Sequence, residues 1–212
     1  MSTFFTPVAR NLHSGYTPQA FQKLCKTFLT THYNIHELPC WQEGRVFVSG
    51  GLFPRLYYGQ FIRDVDFYCN DAAAMNEMFE YLSNRSFVNT SSARAMETNT
   101  FRRLAGTSHS VDLIGFHEPR NRTYPLASFD FTICRFVYDR DGLTYLPQDW
   151  DDLINKRLVY TGNLGVRSRN NNSYTRIRKY EGFGFRISAL DRDRIIEHRE
   201  SLPEISEADS EY

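Results

Sequence analysis

The chain lacks the marks of several large protein classes. None of its four cysteines (Cys25, Cys40, Cys69 and Cys134) forms a C-x-x-C pair or joins a histidine cluster, so neither a zinc site nor a disulfide framework is indicated. The N-terminus, Met-Ser-Thr-Phe-Phe-Thr-Pro, has neither the charged nor the long apolar segment of a signal peptide. No run approaches the roughly 20 apolar residues of a membrane span. There is no internal repeat, and the formal net charge is zero, which removes any global bias toward a polyanion. The expectation is a protein of the reducing cytoplasm with no membrane partner.

What is present is ordinary in bulk and uneven in detail. At 212 residues, 41% hydrophobic and 24% charged, the chain can bury a substantial core as one domain with a small appendage. Its 17 Phe and 13 Tyr read first as core rings, and base stacking is the less common use. Residues 154–199 hold 11 Lys/Arg against 4 Asp/Glu, leaving 14 against 21 elsewhere. A basic C-terminal third beside an acidic remainder suits a protein that holds metal at one place and a polyanion at another; a solvated helical face is the plain alternative.

Thr17-Pro18 opens a helix, a capping residue followed by proline in the first turn. Phe21, Leu24, Cys25, Phe28 and Leu29 then mark its core-facing stripe. Residues 39–44 read as a loop, 45–49 as a buried strand, 50–58 as a turn entering a helix that ends at Gly59, and 63–69 as a second strand. Asp71 caps a helix with Met75, Met78, Phe79 and Leu82 inward. Strands are expected over 86–90, 98–104 and 110–116, with a turn at Gly106-Thr107. The stretch 129–139 fits either strand or helix. A helix over 151–156, a strand over 157–161, a polar loop over 165–172 and a helix over 173–185 with Ile177, Tyr180 and Phe185 inward complete the pattern. It predicts an α+β fold: a mixed β-sheet flanked by helices, with a short C-terminal helical extension. Residues 1–162 form the sheet domain, 163–200 the basic helical extension, and 201–212 an acidic, disordered tail.

The chemistry concentrates in residues 46–69. Residues i and i+2 of a strand share a face, so Asp64 and Asp66 project side by side next to the turn Ser49-Gly50-Gly51. Glycine has no Cβ to keep a phosphate from the backbone amides. Two carboxylates beside such a turn make a cradle for a divalent metal and a triphosphate. Phosphoryl and nucleotidyl transfer needs triphosphate charge neutralised and an incoming hydroxyl activated, and two Mg²⁺ ions held by carboxylates from at least two strands do both. Asp112, an isolated acid in the apolar strand Ser110-Val-Asp-Leu-Ile-Gly115, fits as the third ligand, since burying it unpaired would be costly. Pairing with a nearby arginine is its alternative role. Arg55 and Arg63, flanking the carboxylates, can each fork onto a triphosphate or pair with an acid. Arg102 and Arg103, on the strand before Asp112, have the same two roles open. Arg167, Arg169, Arg176, Arg178 and Lys179, interleaved with Tyr174 and Tyr180, could contact and stack on RNA, or form a solvated helix. His109, nearest Asp112, is expected to be structural.

Gly50-Gly51, Arg55, Gly59 and Asp64-Val-Asp66 resemble the Gly-Gly-x-x-Arg-Asp…Gly…Asp-x-Asp signature of the polymerase-β-like nucleotidyltransferases, within them the bacterial-type CCA-adding and poly(A) polymerase group. Val111-Asp112-Leu113 sits where that group carries its third carboxylate. Asp130-Phe-Thr-Ile133 with Tyr138-Asp139 and Gly142, Asp152-Leu-Ile-Asn-Lys-Arg-Leu158 with Gly162, and residues 176–187 are similar, in the same order, to its later blocks. The sequence departs from the group at Leu56, where an acid is expected, at Phe129, where an arginine is expected, and in the neck, where Arg176 alone of a base-selecting motif is kept. The resemblance ends at Ile187, where the group's tRNA-gripping helical body would start, so a complete CCA-adding enzyme is not expected.

The resemblance implies a Mg²⁺-dependent enzyme that moves a nucleoside monophosphate from an NTP, ATP or CTP, to an acceptor hydroxyl and releases pyrophosphate. Asp64, Asp66 and Asp112 would be catalytic and metal-binding; Ser49, Gly50, Gly51, Arg55, Arg63, Asp130 and Arg176 would bind the nucleotide. The expected acceptor is an RNA 3′ end, tRNA-like. Two other readings stay open: a silent, antitoxin-like binding module for RNA or a partner protein, and nucleotidylation of a protein.

Overall fold

A computed structural model of the protein describes residues 15–90, 94–95, 99–116, 123–163 and 173–201. The loop expected over 165–172 and nearly all of the acidic tail, with Arg167 and Arg169, lie outside these residues. The chain packs as two compact units, one of residues 1–122 with 137–144 and one of 123–136 with 145–212, a division that does not follow the 162/163 boundary read from the sequence.

The first unit holds the entire sheet. Thr17 caps α1 (Pro18–His32) through its side chain, and Phe21, Cys25 and Leu29 of that helix are buried, which is the stripe the periodicity predicts. The loop expected over 39–44 contains a four-residue helix, α2 (Pro39–Gln42), begun by a proline at its first position. Next come β1 (Val46–Ser49), α3 (Leu52–Tyr57), β2 (Asp64–Cys69) and α4 (Ala72–Ser83), whose cap, Asp71, accepts from the Ala74 amide. The strands β3 (Val88–Asn89), β4 (Arg94–Ala95), β5 (Asn99–Ala105), β6 (Ser110–Phe116), β7 (Val137–Asp139) and β8 (Gly142–Thr144) complete the unit. The sheet runs β3-β5-β6-β2-β1-β7-β8, with β4 also paired to β5. Among the described strands β2 and β6 run parallel and the other pairings are antiparallel. This is the mixed, helix-flanked α+β sheet that the sequence pattern predicts.

The two faces of β2 differ. Val65, Phe67 and Cys69 are fully buried, while Asp64, Asp66 and Tyr68 on the other face are half-buried. On β6, Val111, Leu113 and Gly115 point to the α4 side. A Cβ on Gly115 would meet the Met75 sulfur at 2.5 Å, so the glycine leaves room for the Met75 side chain against the strand. Fully burying Phe67, Val111 and Leu113 contributes on the order of 2 kcal/mol each, and that apolar layer holds the opposite, polar face in place.

The second unit is mostly helical. It contains α5 (Tyr124–Ser128), a 3₁₀ turn at Thr132–Cys134, α6 (Pro147–Ile154), α7 (Ser173–Glu181) and α8 (Ala189–Glu200). The stretch 129–139 is neither of the two things expected. Its middle, Thr132–Cys134, is the 3₁₀ turn and its last three residues are β7. No continuous strand forms over 157–161, where single bridges, Phe131 to Tyr160 and Arg157 to Arg186, take its place. Ile177 and Tyr180 are inward on α7 as expected. The helix stops at Glu181, short of the expected 185, because Gly184 adopts φ +85 and turns Phe185 back to donate to the Tyr180 carbonyl at 3.1 Å.

Candidate functional site

Strand register builds the site. Ser49 of β1 stands opposite Asp66 of β2, Asp66 opposite Asp112 of β6, and Asp112 opposite Arg103 of β5. Paired residues on neighbouring strands point to the same face. The four side chains therefore form a row across four adjacent strands, at steps of about 4.8 Å, with Asp64 two residues along β2 from Asp66. The face is the one opposite α4. The apolar alternation of β2 and β6 puts the acids there, since any one-residue slip would bury them in the core instead.

Beyond the carboxylates the same face turns aromatic. Phe47 and Tyr68 stack at 5.3 Å with planes 3° apart, and Tyr68 and Phe116 stack at 5.9 Å. These cross-strand rings brace the register on which the acid row depends.

At the end of β1, Ser49 is fully buried. Gly50 follows with φ +94, in the region open to glycine at no steric cost. Gly51 has φ −69 and needs no such freedom, so its lack of a Cβ matters for space alone. Arg55, expected at the triphosphate, is buried at 5% exposure, and its Nη1 donates to the Phe61 carbonyl. With the Gln60 amide donating to the Arg55 carbonyl at 2.8 Å, this ties down the turn at Gly59 (φ +61), which leads into β2. Arg63 is exposed at the start of that strand, and its carbonyl accepts from the Ser110 amide at 2.8 Å.

Asp112 is 5% exposed, and Arg103 forks onto it, Nε to Oδ1 at 2.7 Å and Nη2 to Oδ2 at 2.6 Å. The hydrogen bond to Asp112 is the largest influence holding the Arg103 guanidinium above its ordinary value, and the charges of Asp112, Asp64 and Asp66 act in the same direction. The sequence leaves Asp112 two roles, metal ligand or partner of an arginine; the structure shows the ion pair. The pair depends on the β5–β6 register. The chain folds back over the four residues 106–109, which sets Arg103 against Asp112 and leaves Arg102 on the other face, where its guanidinium lies 4.7 Å from the Phe79 ring centre; a two-residue turn at Gly106-Thr107 would set Arg103 against Ser110 instead.

The donor set bears on metal binding. Asp64 and Asp66 are hard oxygen donors on one half-buried face, which suits Mg²⁺. Asp112 offers no oxygen free of the arginine fork. Among the described residues no group of three or more His, Cys, Asp or Glu is arranged to hold a metal ion. The residues fit a cation at Asp64 and Asp66, with Asp112 beside Asp66 on the neighbouring strand and held by Arg103.

His109, which follows the turn, is a packing residue. Its Nε2 is hydrogen-bonded to the Tyr33 hydroxyl and its Nδ1 to the Ser108 hydroxyl at 2.8 Å. Burial, and to a lesser degree the neighbouring His32, lowers its pKa to about 4.

Asp130 and Arg176 belong to the second unit and pair with each other, Nη1 to Oδ1 at 2.7 Å. Asp130 is 2% exposed. The Arg176 Nη2 also reaches the Cys134 sulfur at 3.2 Å, and that sulfur lies 3.1 Å from the Tyr180 hydroxyl. Tyr180 is fully buried among Phe131, Phe183 and Phe185. Of the roles left open for Tyr180, the inward one holds and base stacking does not, because its ring is core. The Tyr174 side chain lies outside the described residues.

Comparison with known proteins adds three findings. A family model described as Gabija anti-defense 2 family protein matches residues 17–156. No curated protein matches the chain. Solved structures match in fold: a tRNA-processing enzyme in an apo form (16% identity, TM-score 0.56, 83% of this chain and 49% of that one), a CCA-adding enzyme in complex with CTP (16%, 0.55, 85% and 46%), and a Thermotoga maritima CCA-adding enzyme complexed with tRNA (18%, 0.50, 87% and 43%). The chain spans less than half the length of each, and at these identities the likeness shows a nucleotidyltransferase-like fold. Among the described residues no helix is long and apolar enough to cross a membrane.

Proposed function

The chain belongs to the Gabija anti-defense 2 family, and from that premise we propose that it counters Gabija defence as a nucleotidyltransferase. It takes a nucleoside monophosphate from ATP or CTP and attaches it to an acceptor hydroxyl. The observation that carries this reading is the acid row: Asp64 and Asp66 on a half-buried strand face, opposite Ser49 and beside the Gly50 turn. In the step, the acceptor oxygen bonds to the α-phosphorus, the α–β bridging P–O bond breaks, and pyrophosphate leaves with its electrons while the hydroxyl proton passes to solvent or a carboxylate. Asp64 and Asp66 would hold Mg²⁺, which when bound neutralises triphosphate charge and makes the acceptor hydroxyl more acidic. Ser49, Gly50 and Gly51 hold the phosphates, and exposed Arg63 supplies a mobile cation for them. Arg55 acts through the turn it ties down. Asp130 and Arg176 were expected at the nucleotide too; their mutual pairing supports a structural role.

The acceptor is proposed to be an RNA 3′ hydroxyl, a reading supported by the tRNA and CTP complexes among the fold's neighbours. One observation favours a second reading, a silent module that binds RNA or a partner without turnover: Arg103 occupies both oxygens of Asp112. Incubating the protein with each of four α-labelled NTPs, Mg²⁺, total RNA and the components of the Gabija system separates the readings. Label on RNA supports the proposal, and label on a protein moves the acceptor. No transfer, together with no Mg²⁺-dependent NTP binding, selects the silent module.

A further inference from the structure

The acid row contains a cation of its own. From β5 to β1 it reads Arg103, Asp112, Asp66, Ser49, and the arginine sits beside the carboxylate that a second metal ion would need. Its fork is bidentate, with contacts of 2.7 and 2.6 Å, the geometry that matches guanidinium to carboxylate best. A divalent ion on the remaining lone pairs of Asp112 would lie within a few ångström of a full positive charge, in surroundings where screening by water is weak because Asp112 is 5% exposed. The charges balance as well. Three carboxylates carry three negative charges, which one arginine and one divalent ion neutralise; two divalent ions and the arginine would leave the row cationic before any nucleotide arrived.

We propose that Arg103 is a built-in counter-cation that takes the place of a second divalent ion beside Asp112, so that this site binds one divalent ion, at Asp64 and Asp66, rather than two. The proposal rests on the nucleotidyltransferase reading only in giving Asp64 and Asp66 the metal. Arg103 acts through Asp112 and is a positioning residue.

The test is Mn²⁺ binding to the full chain, read from the loss of the free Mn²⁺ electron-paramagnetic-resonance signal, which needs no turnover. The wild type is expected to bind one Mn²⁺ per chain, and Asp66→Asn to weaken that binding at least about tenfold. Arg103→Met should raise the stoichiometry to two, and adding Asp112→Asn to it should return it to one. Because Arg103→Met strips the partner from a buried acid and could unfold the chain, Asp112→Asn alone is the second arm: it removes the charge and the need for a partner together. It should leave the single site's affinity within about threefold. Two sites in the wild type, one site in folded Arg103→Met, or a tenfold loss in Asp112→Asn would each overturn the proposal while leaving Asp64 and Asp66 as metal ligands. No Mn²⁺ bound by the wild type, or binding indifferent to Asp66→Asn, would overturn this proposal and the nucleotidyltransferase reading with it.

Discussion

Each unit of this protein contains a buried aspartate held by an arginine, and the two pairs are built differently. In the sheet unit, Asp112 is held by Arg103, whose side chain is 47% exposed, and both lie in a row of further acids. In the helical unit, Asp130 is held by Arg176, 28% exposed, with Tyr180 and Cys134 closing round it. An arginine open to solvent beside acids that have no evident structural need of one another is a chemical arrangement. An arginine packed among rings, with further contacts to a sulfur and a tyrosine hydroxyl, is a packing arrangement. The same two residue types thus serve different ends, and what separates them is the neighbourhood, not the pair.

The comparison can be broken by removing the arginines. Arg176→Met leaves Asp130 charged among fully buried rings and is expected to cost about 3–4 kcal/mol, read as a fall in the denaturant midpoint. Arg103→Met leaves Asp112 nearer to water and to a cation that can replace the guanidinium, so its cost is expected at about 1–2 kcal/mol, and added Mn²⁺ should restore part of it. Equal losses in the two variants would erase the distinction drawn here.

The sheet unit carries a second buried titrating group. His109 binds a proton near 6.5 when unfolded and near 4 when folded, because burial penalises its charged form. It therefore contributes full stability above about pH 6.5, and that contribution is lost as the pH falls toward about 4. With allowance for its partial solvent contact the loss is on the order of 2 kcal/mol. Denaturant titrations from pH 7 to 4.5 should show this slope, and His109→Gln should flatten it. An unchanged slope would assign the pH dependence to the carboxylates.

The smallest effects concern the Gly50-Gly51 turn. Gly50→Ala forces a Cβ at φ +94 and should cost about 1–2 kcal/mol of stability. Gly51→Ala, at φ −69, should leave stability within about 0.5 kcal/mol yet raise KM for NTP, since the added methyl enters the space proposed for phosphate. A stability loss at Gly51 equal to that at Gly50 would make both glycines structural.

Much of the fold was legible because it is written locally. The α1 and α4 stripes, the caps Thr17 and Asp71, and the alternation that puts Asp64 and Asp66 on one face all depend on neighbours in sequence, and β6 begins and ends where its apolar run does. What escaped reading depends on distant partners. The fork of Arg103 on Asp112 exists only once β5 is set against β6, and the bond from Arg55 to the Phe61 carbonyl requires the backbone of a turn. The segment 157–161 has strand composition, but among the described residues it makes only single bridges, so composition alone misled. Tyr180 was legible as an inward residue from its helical spacing, and the aromatic cluster around it decides between that role and base stacking.

The central claim is that the Asp64–Asp66 face performs nucleotidyl transfer. Its most direct test is label transfer from α-labelled NTP in the presence of Mg²⁺, wild type against Asp66→Asn, with folding of both checked by circular dichroism. Transfer by the wild type and a loss of about 10³-fold or more in the folded variant is the predicted result; equal transfer by the two proteins would contradict it.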